Sequence, residues 1–77
     1  MTSLASLPVG SRGRVVQIEG ADEISIRLLE MGLTPGTELA ILGVAPLGDP
    51  LELEVRGYRL SIRKAEAARV EVDPTDN

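Results

Sequence analysis

Between Leu51 and Arg63 the chain reads LELEVRGYRLSIR, a stretch that admits little besides a β-hairpin. Leu51, Leu53 and Val55 alternate with Glu52, Glu54 and Arg56; beyond Gly57, Leu60 and Ile62 alternate with Arg59, Ser61 and Arg63. A period of two gathers the apolar side chains on one face of a strand, whereas a helix would scatter them. Gly57 marks the turn between the two runs. Two registers are open. With Arg56-Gly57 as the loop, Glu54 lies opposite Arg59; with Gly57-Tyr58 as the loop, Glu52 faces Arg63 and Arg56 faces Arg59. The registers differ by two residues, so both keep the same side chains inward.

A lone hairpin is marginal in water, so the rest of the chain must cover that face. Residues 1 to 9 are a short lead-in, and SRGRVVQIEG (11 to 20) reads as a strand with Val16 and Ile18 on one face and Arg14 and Gln17 toward solvent. The period then changes. Ile24, Leu28 and Met31 recur at i, i+4 and i+7, with Leu29 widening the stripe, which predicts a helix. Asp22 suits its N-cap and Glu23 its first turn; Gly32 fits a left-handed C-terminal residue, and Pro35 prevents resumption. Thr37 to Val44 reads as a second strand whose nearly continuous apolar run predicts burial on both sides. PLGDP (46 to 50) is a turn, KAEAA (64 to 68) one helical turn, RVEV (69 to 72) a closing strand, and DPTDN (73 to 77) a frayed polar tail. Five short strands and one inserted helix predict a mainly β fold, a small closed barrel forming a single domain over residues 1 to 72.

Composition restricts the function classes. The 77 residues include no histidine and no cysteine, and Tyr58 is the single aromatic residue. Ser-His and Cys-His pairs are therefore impossible, and Lys64, the only lysine, has no suitably spaced serine; the chain is not expected to be an enzyme. No disulfide and no thiolate metal site can form. A net charge of −4 opposes phosphate-backbone binding, and one tyrosine builds no stacking platform, so no nucleic-acid partner is expected. GSRG (10 to 13) superficially matches a backbone-clamping GXXG loop, but that loop joins two helices and this one leads into a β pattern. The longest apolar segment, Leu39 to Leu47, falls well short of the about 20 residues a spanning helix needs. The chain begins with no charged segment followed by an apolar one, so neither a signal peptide nor membrane insertion is expected. Asp22, Glu23, Glu30, Asp49, Glu52 and Glu54 are oxygen donors suited to hard cations; the expected cofactor is none, with weak binding of Fe²⁺ or another divalent metal as the alternative.

The segments LLEMGLTPGTEL (28 to 39), APLGDPLELEVRG (45 to 57) and LSIRKAEAARVEV (60 to 72), in that order and spacing, resemble the FeoA family, the small ferrous iron transport protein A. The likeness covers Val9 to Val72. It implies an SH3-like β-barrel with an inserted helix, in agreement with the strand order above. It also implies a cytoplasmic accessory of the membrane ferrous iron permease, whose cytosolic part is a GTP-binding domain. Such proteins are regarded as interaction modules, although the family is also described as metal-ion binding.

On that reading the candidate partner-binding residues lie in three places. They are the turn Pro46, Leu47, Gly48, Asp49 and Pro50; the helix end Leu28, Leu29 and Met31; and the basic edge Arg59 and Arg63. Ile26, off the helix stripe, and Leu47 would form an apolar patch if exposed together. The competing roles are turn geometry for the prolines and glycine, core packing for Leu28 and Met31, and a salt-bridged wall for the arginines. Residues 69 to 72 are expected to leave an open strand edge through which the chain self-associates weakly.

Overall fold

The computed structural model describes residues 2–75. Strands β1 (Thr2–Ser3) and β2 (Arg12–Ile18) are followed by helix α1 (Glu23–Glu30). Strands β3 (Glu38–Val44), β4 (Leu51–Val55) and β5 (Tyr58–Ile62), the short helix α2 (Lys64–Ala67) and strand β6 (Val70–Thr75) complete the chain. The six strands form one antiparallel sheet in the order β1-β6-β2-β3-β4-β5. The fold is mainly β and SH3-like, as expected, but the sheet is not closed. Among the described residues β5 at one end and β1 at the other each pair with a single neighbour, so the sheet is open where a closed barrel is expected.

The sixth strand comes from the lead-in. Thr2 and Ser3 pair with Val72 and Glu71, and a 3₁₀ turn over Leu4–Ser6 drives Leu4 fully into the core. β1 therefore covers the edge expected at residues 69 to 72, and the self-association inferred from that edge loses its basis. β6 also continues past Val72: Asp73, Pro74 and Thr75 pair with Arg14, Gly13 and Arg12. Residues 73 to 75 are thus strand and not frayed tail, while 76 and 77 lie outside the described residues. Among the described residues Pro74 pairs only with Gly13 of β2, and β1 reaches no further than Val72.

The core joins Leu28 and Leu33 from α1 and its exit to Leu39, Ile41, Leu53, Val55, Ile62, Val70 and Val72 from the sheet. Asp22 caps α1 by accepting a hydrogen bond from the Ser25 N–H at 3.1 Å. At the other end Gly32 adopts φ +108°. The Leu33 N–H then reaches the Leu28 carbonyl and the Gly32 N–H the Leu29 carbonyl, a Schellman closure that only a residue tolerant of positive φ completes cheaply. It turns Leu33 inward.

Two strands differ from expectation. In β2 it is Val15 that is buried, while Val16 faces out, because a bulge between Val15 and Gln17 inserts one residue and lets Ile18 face in again. β3 is covered on one face only: Leu39 and Ile41 are buried, whereas Leu42 and Val44 remain substantially exposed beyond a second bulge. The β4–β5 hairpin adopts the first of the two registers. Val55 pairs with Tyr58 and Glu54 with Arg59, with Arg56 at φ 53° and Gly57 at φ 84° forming a type I′ turn.

Candidate functional site

The turn after β3 closes on itself. The Gly48 N–H donates to the Ala45 carbonyl at 2.7 Å and the Ala45 N–H to the Pro50 carbonyl at 3.0 Å; the Asp49–Pro50 peptide bond is cis. Leu47 stands at the tip, 96% exposed. Asp49 points the other way, and its Oδ1 accepts the Lys64 N–H at 2.9 Å. The turn is thereby fastened to the start of α2. The next donor in that cap, the Arg63 N–H, is taken by Glu66 Oε1 at 3.0 Å, and the other oxygen of Glu66 pairs with Arg27 of α1. The Arg63 amide first, and Arg27 beside it, hold the Glu66 carboxyl below the usual carboxylate range.

These ties frame an open groove of about 540 Å³ lined by Arg27, Met31, Asp49, Pro50, Ser61, Arg63 and Glu66. One residue or more from each of the three sequence candidates meets here: Met31 from the helix end, Asp49 and Pro50 from the turn, Arg63 from the basic edge. Leu28 does not; it is fully buried and has no surface to offer a partner. Leu29 is 40% exposed beside the groove's helix wall without lining it. Arg59 lies two residues before Ser61 along β5, on the same outer face. Pro46 and Gly48 shape the turn that carries Leu47. Ile26 is exposed as well, on α1.

Among the described residues Arg59 and Arg63 take part in no ion pair, so the salt-bridged wall is absent; the pairs present are Arg14–Glu38, Arg27–Glu66 and Arg69–Asp22. Arg27, Ser61 and Glu66 were not singled out by sequence reasoning. Arg27 sits four residues before Met31 and so shares its helix face, Ser61 falls between the two arginines in the alternation, and Glu66 stands three residues after a helix start, as a capping carboxylate does.

The donor set does not fit a resident transition-metal ion. No three acidic side chains converge among the described residues, and several carboxylates are already committed. Asp22 accepts from Ser25 and pairs with Arg69 at 2.7 Å, Glu38 pairs with Arg14, Glu71 accepts from Gln17, and Asp49 and Glu66 close α2. No described helix is long and apolar enough to cross a membrane.

Comparison with known proteins places the geometry in context. The chain is 34% identical over 70 residues to an Fe(2+) transport protein A/Fe(2+) transporter FeoB fusion protein of Porphyromonas gingivalis, covering 91% of this chain and 8% of that much longer protein. The solution structure of a FeoA-like protein from Clostridium acetobutylicum superposes with a TM-score of 0.91 at 36% identity, covering 100% of this chain and 93% of that one. A zinc-complexed FeoA from Stenotrophomonas maltophilia, described as an SH3 domain protein, superposes with a TM-score of 0.83 at 32% identity over 95% of this chain and 91% of that one. The model of the FeoA domain matches residues 2–74, and the chain belongs to that family.

Proposed function

We propose that this protein is a cytoplasmic accessory of ferrous iron uptake that binds the GTPase-containing ferrous iron permease and modulates it, without catalysis of its own. The observation that carries the reading is the Porphyromonas gingivalis protein, in which a domain similar to this chain is fused to the FeoB transporter. Fusion keeps two modules at high effective concentration, which is useful where separate chains must otherwise meet. A small domain without histidine or cysteine acts through its surfaces, and the groove between α1, the 45–50 turn and β5 is the surface where residues of all three sequence candidates meet.

Titration of the isotope-labelled protein with the intact permease in lipid nanodiscs, and with its cytosolic GTP-binding domain, tests this by amide NMR. Shifts at Leu29, Met31, the Leu47–Asp49 turn, Arg59 and Arg63 are expected with GDP or with a GTP analogue. No binding to the intact permease in either nucleotide state would overturn the proposal. An arginine supplied in trans is not part of it: Arg59→Ala and Arg63→Ala are expected to weaken binding while leaving GTP hydrolysis in the saturated complex unchanged, whereas an arginine finger would be worth about 10³-fold or more in rate.

The alternative, a metal-responsive module, has the zinc-complexed Stenotrophomonas maltophilia protein in its favour, and the carboxylate arrangement described above against it. Anaerobic calorimetry with Fe²⁺ separates the two. Saturable heat at micromolar metal would favour the module; its absence up to near-millimolar metal would exclude it.

A further inference from the structure

β5 ends the sheet, and its outer margin is a template. In a two-residue hairpin the pair next to the turn exchanges both backbone hydrogen bonds, and such pairs alternate with non-bonded ones. Val55↔Tyr58 closes this turn, with Leu53↔Leu60 and Leu51↔Ile62 two and four residues on. The N–H and C=O groups of Tyr58, Leu60 and Ile62 therefore point to β4, and those of Arg59 and Ser61 point away from it. No described group bonds these four outward groups, and both residues are exposed. The strip ends at Arg63, whose N–H and C=O are taken by Glu66 and by the first turn of α2. Among the described residues the opposite end of the sheet offers a shorter strip, β1 being two residues long there, and short edge strands are a protected kind.

Charge selects what fits. Arg59 and Arg63 flank the strip without an ion pair, Glu54 standing opposite Arg59 one strand further in. Of the carboxylates around the margin, Asp49 and Glu66 are occupied by the Lys64 and Arg63 amides and by Arg27, while Glu52, opposite Ser61, stands on β4 away from the open edge, as Glu54 does. A second copy paired antiparallel about Ser61 would set Arg59 of one copy against Arg63 of the other, and like charges directly opposite destabilise a sheet; paired about Leu60 it would set Arg59 against Ser61, an arrangement that the sedimentation experiment below tests.

From this margin we infer that β5 receives an extended acidic segment of another protein as an added strand, with Arg59 and Ser61 supplying the backbone hydrogen bonds, Arg59 and Arg63 selecting glutamate or aspartate, and the groove beside Ser61 taking a side chain. Recognition of this kind draws affinity from the main chain and specificity from alternate side chains. The inference goes beyond the permease reading, since it specifies a form of ligand whatever protein carries it. If the permease does not bind and the probe below does, the iron-uptake reading falls and this one stands.

The probe is a capped peptide alternating valine and glutamate, followed by amide NMR. Copies N-methylated on one or the other alternate set of amides serve as controls, as does a valine–lysine peptide. The expected result is shifts and slowed hydrogen exchange at the Arg59 and Ser61 amides, and loss of binding with one N-methylated copy but not the other. The exposed double variant Arg59→Glu/Arg63→Glu should bind the glutamate peptide tenfold or more weakly and prefer the lysine peptide. Absence of binding, equal binding by both N-methylated copies, or shifts that spare Arg59 and Ser61 would overturn the inference. A dimer detected by sedimentation and abolished by Ser61→Pro would also overturn it, assigning the margin to a second copy.

Discussion

The two ends of the sheet are built on opposite plans. At the β1 end the chain folds back on itself: Thr2 and Ser3 cover β6, Leu4 is inserted into the core, and the nearby Arg69 is matched to Asp22 and Glu71 to Gln17. At the β5 end no strand among the described residues covers the outer margin, two arginines have no carboxylate partner among them, and a leucine stands exposed at the tip of the adjoining turn. The first end pairs Arg69 and Glu71 within the fold and is anchored in the core through Leu4. The second leaves strand-edge backbone groups and two guanidinium groups without a partner among the described residues, open to an incoming one. The difference teaches where a domain of this size keeps its function: in what it leaves unpaired.

The sharpest way to separate the ends is to cut the packing under one of them. Leu4→Ala is expected to lose about 2–5 kcal/mol, as for other fully buried leucines, read as a lower urea midpoint. A loss under about 1 kcal/mol would mean that the lead-in is not part of the folded core. Next in size is Gly57→Ala. At φ 84° a side chain meets its own backbone, so about 1–2 kcal/mol should go, together with shifts along both strands of the hairpin.

Acid should weaken the matched groups. The Arg69 guanidinium first, then the Ser25 amide, hold the Asp22 carboxyl below the usual range, and Glu66 is lowered by the Arg63 amide and Arg27. A carboxylate depressed in the folded state contributes stability above its unfolded pKa and loses it as pH falls through the folded one. Stability should therefore decline as pH drops below about 4, and Asp22→Asn should flatten that decline while melting lower at neutral pH. Urea midpoints across pH check both. A steeper decline in the variant would contradict the assignment.

The smallest stability effect belongs to the β5 end. Leu47→Ala, Arg59→Ala and Arg63→Ala should each stay within about 0.5 kcal/mol of the parent, because Leu47 is 96% exposed and the two arginines are exposed and outside the ion pairs among the described residues. A loss above about 1 kcal/mol at any of them would remove the contrast between the two ends.

The same contrast governs what the sequence made legible. The β4–β5 hairpin was plain because its alternation is unbroken, and α1 because Asp22 and Gly32 bracket a stripe of period 3.6. A strict period of two puts Val16 inward because a bulge is invisible to it; the extra residue between Val15 and Gln17 shifts the phase and then restores it. The hairpin register turned on Arg56 accepting a positive φ, which side-chain alternation does not encode. β1 is not legible because two residues carry no period, and its value lies in the long-range partner Val72. Of the candidate site, Met31, Asp49, Pro50 and Arg63 were named one by one, but that they line a single groove depends on α1 crossing near β5, a tertiary fact. Leu28 was offered both as core and as contact, and its burial decides for core.

The central claim is that the β5 margin is where this protein meets its partner. Amide hydrogen exchange, measured residue by residue with and without the intact permease, tests it most directly. In the free protein the Arg59 and Ser61 amides should exchange quickly while those of Tyr58, Leu60 and Ile62 are protected. In the complex Arg59 and Ser61 should become protected, with little change at Thr2 and Ser3. Protection gained at the β1 end instead, or binding that leaves Arg59 and Ser61 exchanging as before, would contradict the account.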